Sequence, residues 1–158
     1  MDCLADGQDA SYFFARARQL EPGTVYAVVG TLATQTGNGT YVGLSVNNMS
    51  KLKGVANVPD TDLEDSAGGY AATVPNADKF FVHYFTRDCA AITNLTDGAC
   101  TTITDDMVPL DGDQTAQGDP ALRGKMGVAL RAYVQPGQLR GPDPTQQLKP
   151  WIITLTTP

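Results

Sequence analysis

The clearest hydrophobic pattern lies in "TYVGLSVNN" (40–48), where Val42, Leu44 and Val46 alternate with small or polar positions. A period of two places those three side chains on one face, as in a strand with one buried side. Just before it, "TVYAVVGTLAT" (24–34) is a near-continuous apolar run, the pattern of a strand covered on both faces. The turn-forming "QTGNG" (35–39) separates the two runs, and together they predict a β-hairpin.

Elsewhere the pattern is less regular. Residues 9–20, "DASYFFARARQL", predict a short helix with Asp9 as N-cap and Phe13, Ala17 and Leu20 on one face, stopped by "EPG" at 21–23. The aromatic run Tyr12, Phe13 and Phe14 would equally suit a strand. Residues 49–69 read as a long polar loop with a helical turn, and "YAATV" (70–74) as a short edge strand ended by Pro75. "KFFVHYFTRD" (79–88) is rich in aromatic and β-branched residues and predicts a strong strand. "MGVALRAYVQ" (126–135) alternates, with Met126, Val128, Leu130 and Val134 expected inward, and "WIITLTT" (151–157) predicts a last strand. Between them, 105–124 and 135–150 are rich in Asp, Gly, Gln and Pro and predict irregular connections.

Six or seven strands with long loops predict a mainly β fold: a single-domain antiparallel β-sandwich or small β-barrel with one short N-terminal helix and long polar loops. Residues 1–8 are expected to form a mobile N-terminal tail and 9–158 a single β-rich domain, since 158 residues suit one core. No internal repeat occurs. The chain also lacks the immunoglobulin arrangement of a Trp between paired cysteines.

Charge narrows the partners. The chain carries 11 Lys and Arg against 17 Asp and Glu, a net charge of −6. That balance argues against nucleic acid and against an anionic membrane surface, both of which need clustered cations. Only Glu21 and Glu64 are glutamates, so the acid sits mostly as Asp, which favours turns and caps. No apolar run is long enough for a transmembrane helix, so no membrane insertion is expected. "MDCLADGQDA" lacks the basic start and apolar centre of a signal peptide.

The cysteines carry the first candidate chemistry. Cys89 and Cys100 bracket "AAITNLTDGA", and a strand leaving near 88 and returning near 100 would bring them to disulfide range. Such a staple stabilises by up to about 3 kcal/mol and implies an oxidising compartment. Zinc and redox catalysis fit poorly, with no CxxC and a single His. Cys3 is left over in the tail. Three Asn-x-Ser/Thr sequons, at Asn38, Asn48 and Asn94, fall in expected turns and lend mild support to export.

His83 is the only histidine, so any Ser-His-Asp or Cys-His chemistry would have to use it. It shares a strand face with Phe81 and Phe85, while Phe80, Val82 and Tyr84 take the other. If the His83 face lined a cavity, Tyr84 or Tyr133, Arg131 and Trp151 would be its companions. A strand histidine held by packing is the commoner outcome. The Asp-rich stretches "DTDLED" (60–65) and "DGDQTAQGD" (111–119) offer Asp60, Asp62, Glu64, Asp65, Asp111, Asp113 and Asp119 as oxygen ligands for calcium. Neither matches an EF-hand, and solvated loop acids explain both. No phosphate-binding loop or nucleophile elbow is present, and no cofactor is expected.

Two readings follow. The first is a non-enzymatic exported or surface-associated β-domain acting as a structural, adhesive or binding subunit, with a protein or carbohydrate partner or a second copy docked on an edge strand. The second is a small β-barrel enclosing an apolar small molecule, with isomerase, cyclase or hydrolase activity through His83. A secreted or cell-surface location suits the first; a cytoplasmic one would leave the thiols free.

Overall fold

A computed structural model describes residues 9–92, 99–112 and 119–156. Nine strands run through these residues in chain order: β1 (Ala10–Phe14), β2 (Arg18–Gln19), β3 (Thr24–Thr31), β4 (Tyr41–Asn48), β5 (Lys53–Pro59), β6 (Phe80–Thr86), β7 (Cys100–Thr102), β8 (Lys125–Tyr133) and β9 (Trp151–Thr156). A single α-helical turn, α1 (Asp60–Leu63), follows β5. The first sheet has the order β1-β8-β4-β5, with β2 also on β8, and the second the order β7-β6-β3-β9. All pairings are antiparallel except β6 with β7.

Both sheets turn an apolar face to one core. From the first come Phe13, Val42, Leu44, Val46, Val58, Met126, Val128, Leu130 and Ala132; from the second, Tyr26, Val28, Phe81 and Phe85. The period-two reading of β4 and β8 holds for every inward residue but Val134, which lies just past β8 while Ala132 takes the inward place. The fold is mainly β, as expected.

Four local expectations are overturned. Residues 10–14 form β1, not a helix: Phe13 enters the core, Tyr12 and Phe14 stack outside, and the strand pairs with β8. Aromatic side chains gain more from this pleated surface than from helix formation. The short helix of this fold is α1 instead. The β3–β4 hairpin is also absent, because β3 lies in the second sheet and β4 in the first. "QTGNG" belongs to a crossing between layers, anchored by the fully buried Leu32 and Ala33, and not to a tight turn within one sheet. The stretch 70–74 forms turns after a 3-10 segment, whereas "KGVANVP", taken for loop, is β5.

Buried polar groups fix the loops. Asn48, 3% exposed, accepts from the backbone N–H and hydroxyl of Ser50 and from Lys51 N–H, and donates to the Met107 carbonyl. Its amide is thus committed, which removes the Asn48 sequon as a glycan site. Arg87 donates to the carbonyls of Leu20 and Ile103 and pairs with Asp105 at 3.3 Å. Gly124 adopts φ +68°, and a Cβ there would meet the Leu110 carbonyl oxygen at 2.6 Å, so the turn into β8 requires glycine.

Candidate functional site

The cysteine expectation is met. Cys89 and Cys100 form a disulfide with their Cα atoms 5.9 Å apart, joining the 3-10 turn after β6 to the start of β7. Asn94 and its sequon lie outside the described residues, as do Cys3 and the tail at 1–8. The remaining sequon residue, Asn38, donates its side-chain amide to the Asp143 carbonyl.

The four residues considered for catalysis are spread over three surfaces. His83 points with Phe81 and Phe85 between the layers, 2% exposed, its ring 4.9 Å from that of Phe85. Nε2 lies 2.8 Å from Thr101 Oγ1, and Nδ1 is buried without a partner. Burial pushes its pKa down to about 4, with the carboxylate of Asp62 opposing that shift, so the ring is neutral at physiological pH. Tyr84 points out of the opposite face of β6, its hydroxyl 3.4 Å from that of Tyr70. Arg131 and Tyr133 lie on the outer face of the other sheet, on β8. A reacting group near one of these surfaces is out of reach of the others.

Among the described residues the acidic side chains do not converge either. Asp60 and Asp62 sit on α1 with Asp65 just after it, and Asp60 accepts from Thr61 N–H. Asp119 caps a 3-10 turn through Ala121 N–H, and Asp113 is outside the described residues. Among the described residues no group of three or more His, Cys, Asp or Glu side chains is placed to hold a metal. No helix among them is long and apolar enough to cross a membrane.

The most apolar concave feature among the described residues lies elsewhere. On the outer face of the second sheet, Ala27 and Val29 of β3 with Val82 and Tyr84 of β6 floor a groove of about 390 Å³. Trp151, Ile153 and Leu155 of β9 line it, together with Tyr70 and Val74 from the segment before β6. The register explains the alignment: Trp151, Ile153 and Leu155 pair with Val29, Ala27 and Val25, so all three share the face of the floor. They are 69%, 49% and 42% exposed. His83 does not line this groove.

The two edges of this sheet differ. Alongside β6, the Ser66 hydroxyl accepts from Val82 N–H and β7 pairs with residues 84–86. On β9, only β3 pairs, and no described strand covers the far edge. Sequence reasoning named Trp151 but missed Ile153, Leu155, Tyr70 and Val74. The available signal was "WIITLT", a strand with no charge and apolar residues at both parities.

No family model, curated protein or solved structure matches the chain.

Proposed function

We propose that the chain is a non-enzymatic, exported or surface-associated β-domain that serves as a structural and binding subunit, and that it assembles with a second copy through β9. The observation that carries this is β9 itself: a strand with no charged residue, its far edge covered by no described strand, with three exposed apolar side chains beside an apolar groove and Arg18 reaching only the Thr154 hydroxyl. Soluble β proteins ordinarily guard such an edge with Lys, Pro, a bulge or a covering loop. Here the prolines stand outside the strand, at 150 and 158.

The side-chain pattern is self-complementary. In an antiparallel pair centred on Ile153, Ile153 faces its own mate and Trp151 faces Leu155 of the other copy. Both copies then satisfy the same backbone groups, as a two-fold interface requires. The axis stands normal to the sheet, so the two grooves lie on one side and merge. The scattering of His83, Tyr84, Arg131 and Tyr133 supports the non-enzymatic part, and the Cys89–Cys100 bond supports an oxidising location.

Sedimentation velocity across about 1–100 μM, a range that spans weak to moderate self-association, tests the assembly. A concentration-dependent dimer is expected, with Ile153→Lys monomeric and still folded by circular dichroism. In a Cys3→Ser background, Ile153→Cys should cross-link symmetrically on oxidation. A monomer throughout the range, or a dimer that Ile153→Lys leaves intact, would overturn the β9 interface. An apolar molecule retained by the monomer in native mass spectrometry would instead favour a small-ligand groove.

A further inference from the structure

The outer face of the first sheet carries a second, chemically different surface. Tyr12 of β1, Arg131 of β8 and Gly43 of β4 lie in one cross-strand row, and Tyr133 opposite Tyr41 forms the next. The Arg131 guanidinium carbon sits 5.1 Å from the centre of the Tyr12 ring and 4.2 Å from that of Tyr133. Tyr41 meets Tyr133 edge-on, with ring centres 5.6 Å apart. Its hydroxyl lies over Gly43, 2.8 Å from where a Cβ would be. Phe14, 40% exposed, stacks beside Tyr12 and extends the aromatic surface.

The cation is the unusual member. With 17 acidic residues in the chain, a surface arginine has ample opportunity for an ion pair. Yet among the described residues no carboxylate pairs with Arg131, and its Nε is buried without an acceptor. Its position is held by ring faces, which attract the guanidinium without using its N–H groups. A guanidinium fixed in this way keeps its two terminal amino groups for something outside the protein, and that pair matches the two oxygens of a carboxylate.

We propose that Arg131, Tyr12, Tyr133, Tyr41 and Phe14 form a binding site for a carboxylate-bearing saccharide. A single guanidinium matches the single charge of a uronic acid carboxylate. The exposed Phe14 ring offers an apolar platform to the C–H face of a pyranose. The Tyr41 hydroxyl and, further along β4, the Asn47 side chain, whose amide also donates to the Ser45 hydroxyl, supply neutral hydrogen-bonding groups for sugar hydroxyls.

Isothermal titration with a galacturonic acid trisaccharide, against the neutral galactose trisaccharide, tests the site. The acidic trisaccharide is expected to bind and the neutral one not. Arg131→Gln should weaken binding about tenfold or more, the loss of one charge-assisted contact. Arg131→Lys should restore little of it, because an ammonium lacks the bidentate fork. Phe14→Ala should weaken binding severalfold while leaving the charge in place. Circular dichroism and the thermal midpoint report whether each variant is folded. No binding by the wild type, equal binding of both trisaccharides, or an affinity unchanged in folded Arg131→Gln would overturn the site. An acidic peptide competing as well as the trisaccharide would overturn the saccharide assignment. Because the groove is on the other sheet, the result is independent of dimer formation, and monomeric Ile153→Lys should bind the trisaccharide as the wild type does.

Discussion

His83 makes stability depend on pH in a calculable way. The imidazole is enclosed between the layers, with Nδ1 unpartnered and Nε2 on Thr101, and its folded pKa is about 4 against an ordinary 6.5. The unfolded chain therefore binds a proton that the native state refuses between these two values. The stability so contributed is complete above pH 6.5, falls as the pH drops, and is fully lost below pH 4. Its ceiling is about 3 kcal/mol, from 1.36 kcal/mol per pKa unit. Between about pH 7 and pH 5 the linkage relation gives a loss of about 2 kcal/mol. Urea unfolding at a series of pH values measures this, with His83→Leu as the non-titrating control. The wild type should lose about 2 kcal/mol more than His83→Leu over that interval. As the sole histidine, His83 also gives one assignable imidazole resonance in the native protein. Parallel pH profiles for the two proteins, or a native titration midpoint near 6.5, would refute the buried neutral histidine.

Three other perturbations test the frame. Removing the disulfide with Cys89→Ser and Cys100→Ser should cost about 3 kcal/mol in the chain-entropy model, read from denaturant midpoints without reductant. Asn48→Ala strips partners from Ser50, Lys51 and Met107 in a buried site and should cost about 2–3 kcal/mol by the same assay. Gly124→Ala forces a side chain into a left-handed conformation and against the Leu110 carbonyl. A loss of at least about 1 kcal/mol is expected in thermal or urea unfolding, and a neutral effect would mean that the turn can relax.

Much of the layered core was legible because its signal is local. Alternation in β4 and β8 identifies Val42, Leu44, Val46, Val128 and Leu130 without knowledge of partners. Strand pairing is not local, and there the reading failed. "QTGNG" has hairpin chemistry, but the buried Leu32 and Ala33 carry the chain across the core before the turn is complete. The strand β5 was hidden because Lys53, Gly54 and Asn57 are exposed on an edge, so its composition resembles loop. The candidate sites were harder still. Individual residues such as Arg131 and Tyr133 stood out, but Tyr12, Tyr41 and Gly43 join them only through the β1–β8–β4 register. His83 stood out by its chemistry, and the fold encloses it between the sheets.

The proposed β9 dimer and the proposed saccharide site together make one further prediction. A two-fold axis normal to the second sheet places both first sheets on the same side of the dimer. If both proposals hold, two Arg131 sites face one direction on that dimer, and a polyuronate chain long enough to span them is expected to bind bivalently. Effective concentration then raises avidity by about 10²-fold or more with no new contact. A trisaccharide, too short to bridge, gains nothing. Ile153→Lys should therefore leave trisaccharide affinity unchanged while sharply lowering retention on immobilised polygalacturonate. Arg131→Gln should abolish both. Equal retention of Ile153→Lys and wild type on the polymer would show that the sites do not act as a pair, even where dimer and saccharide site each stand alone.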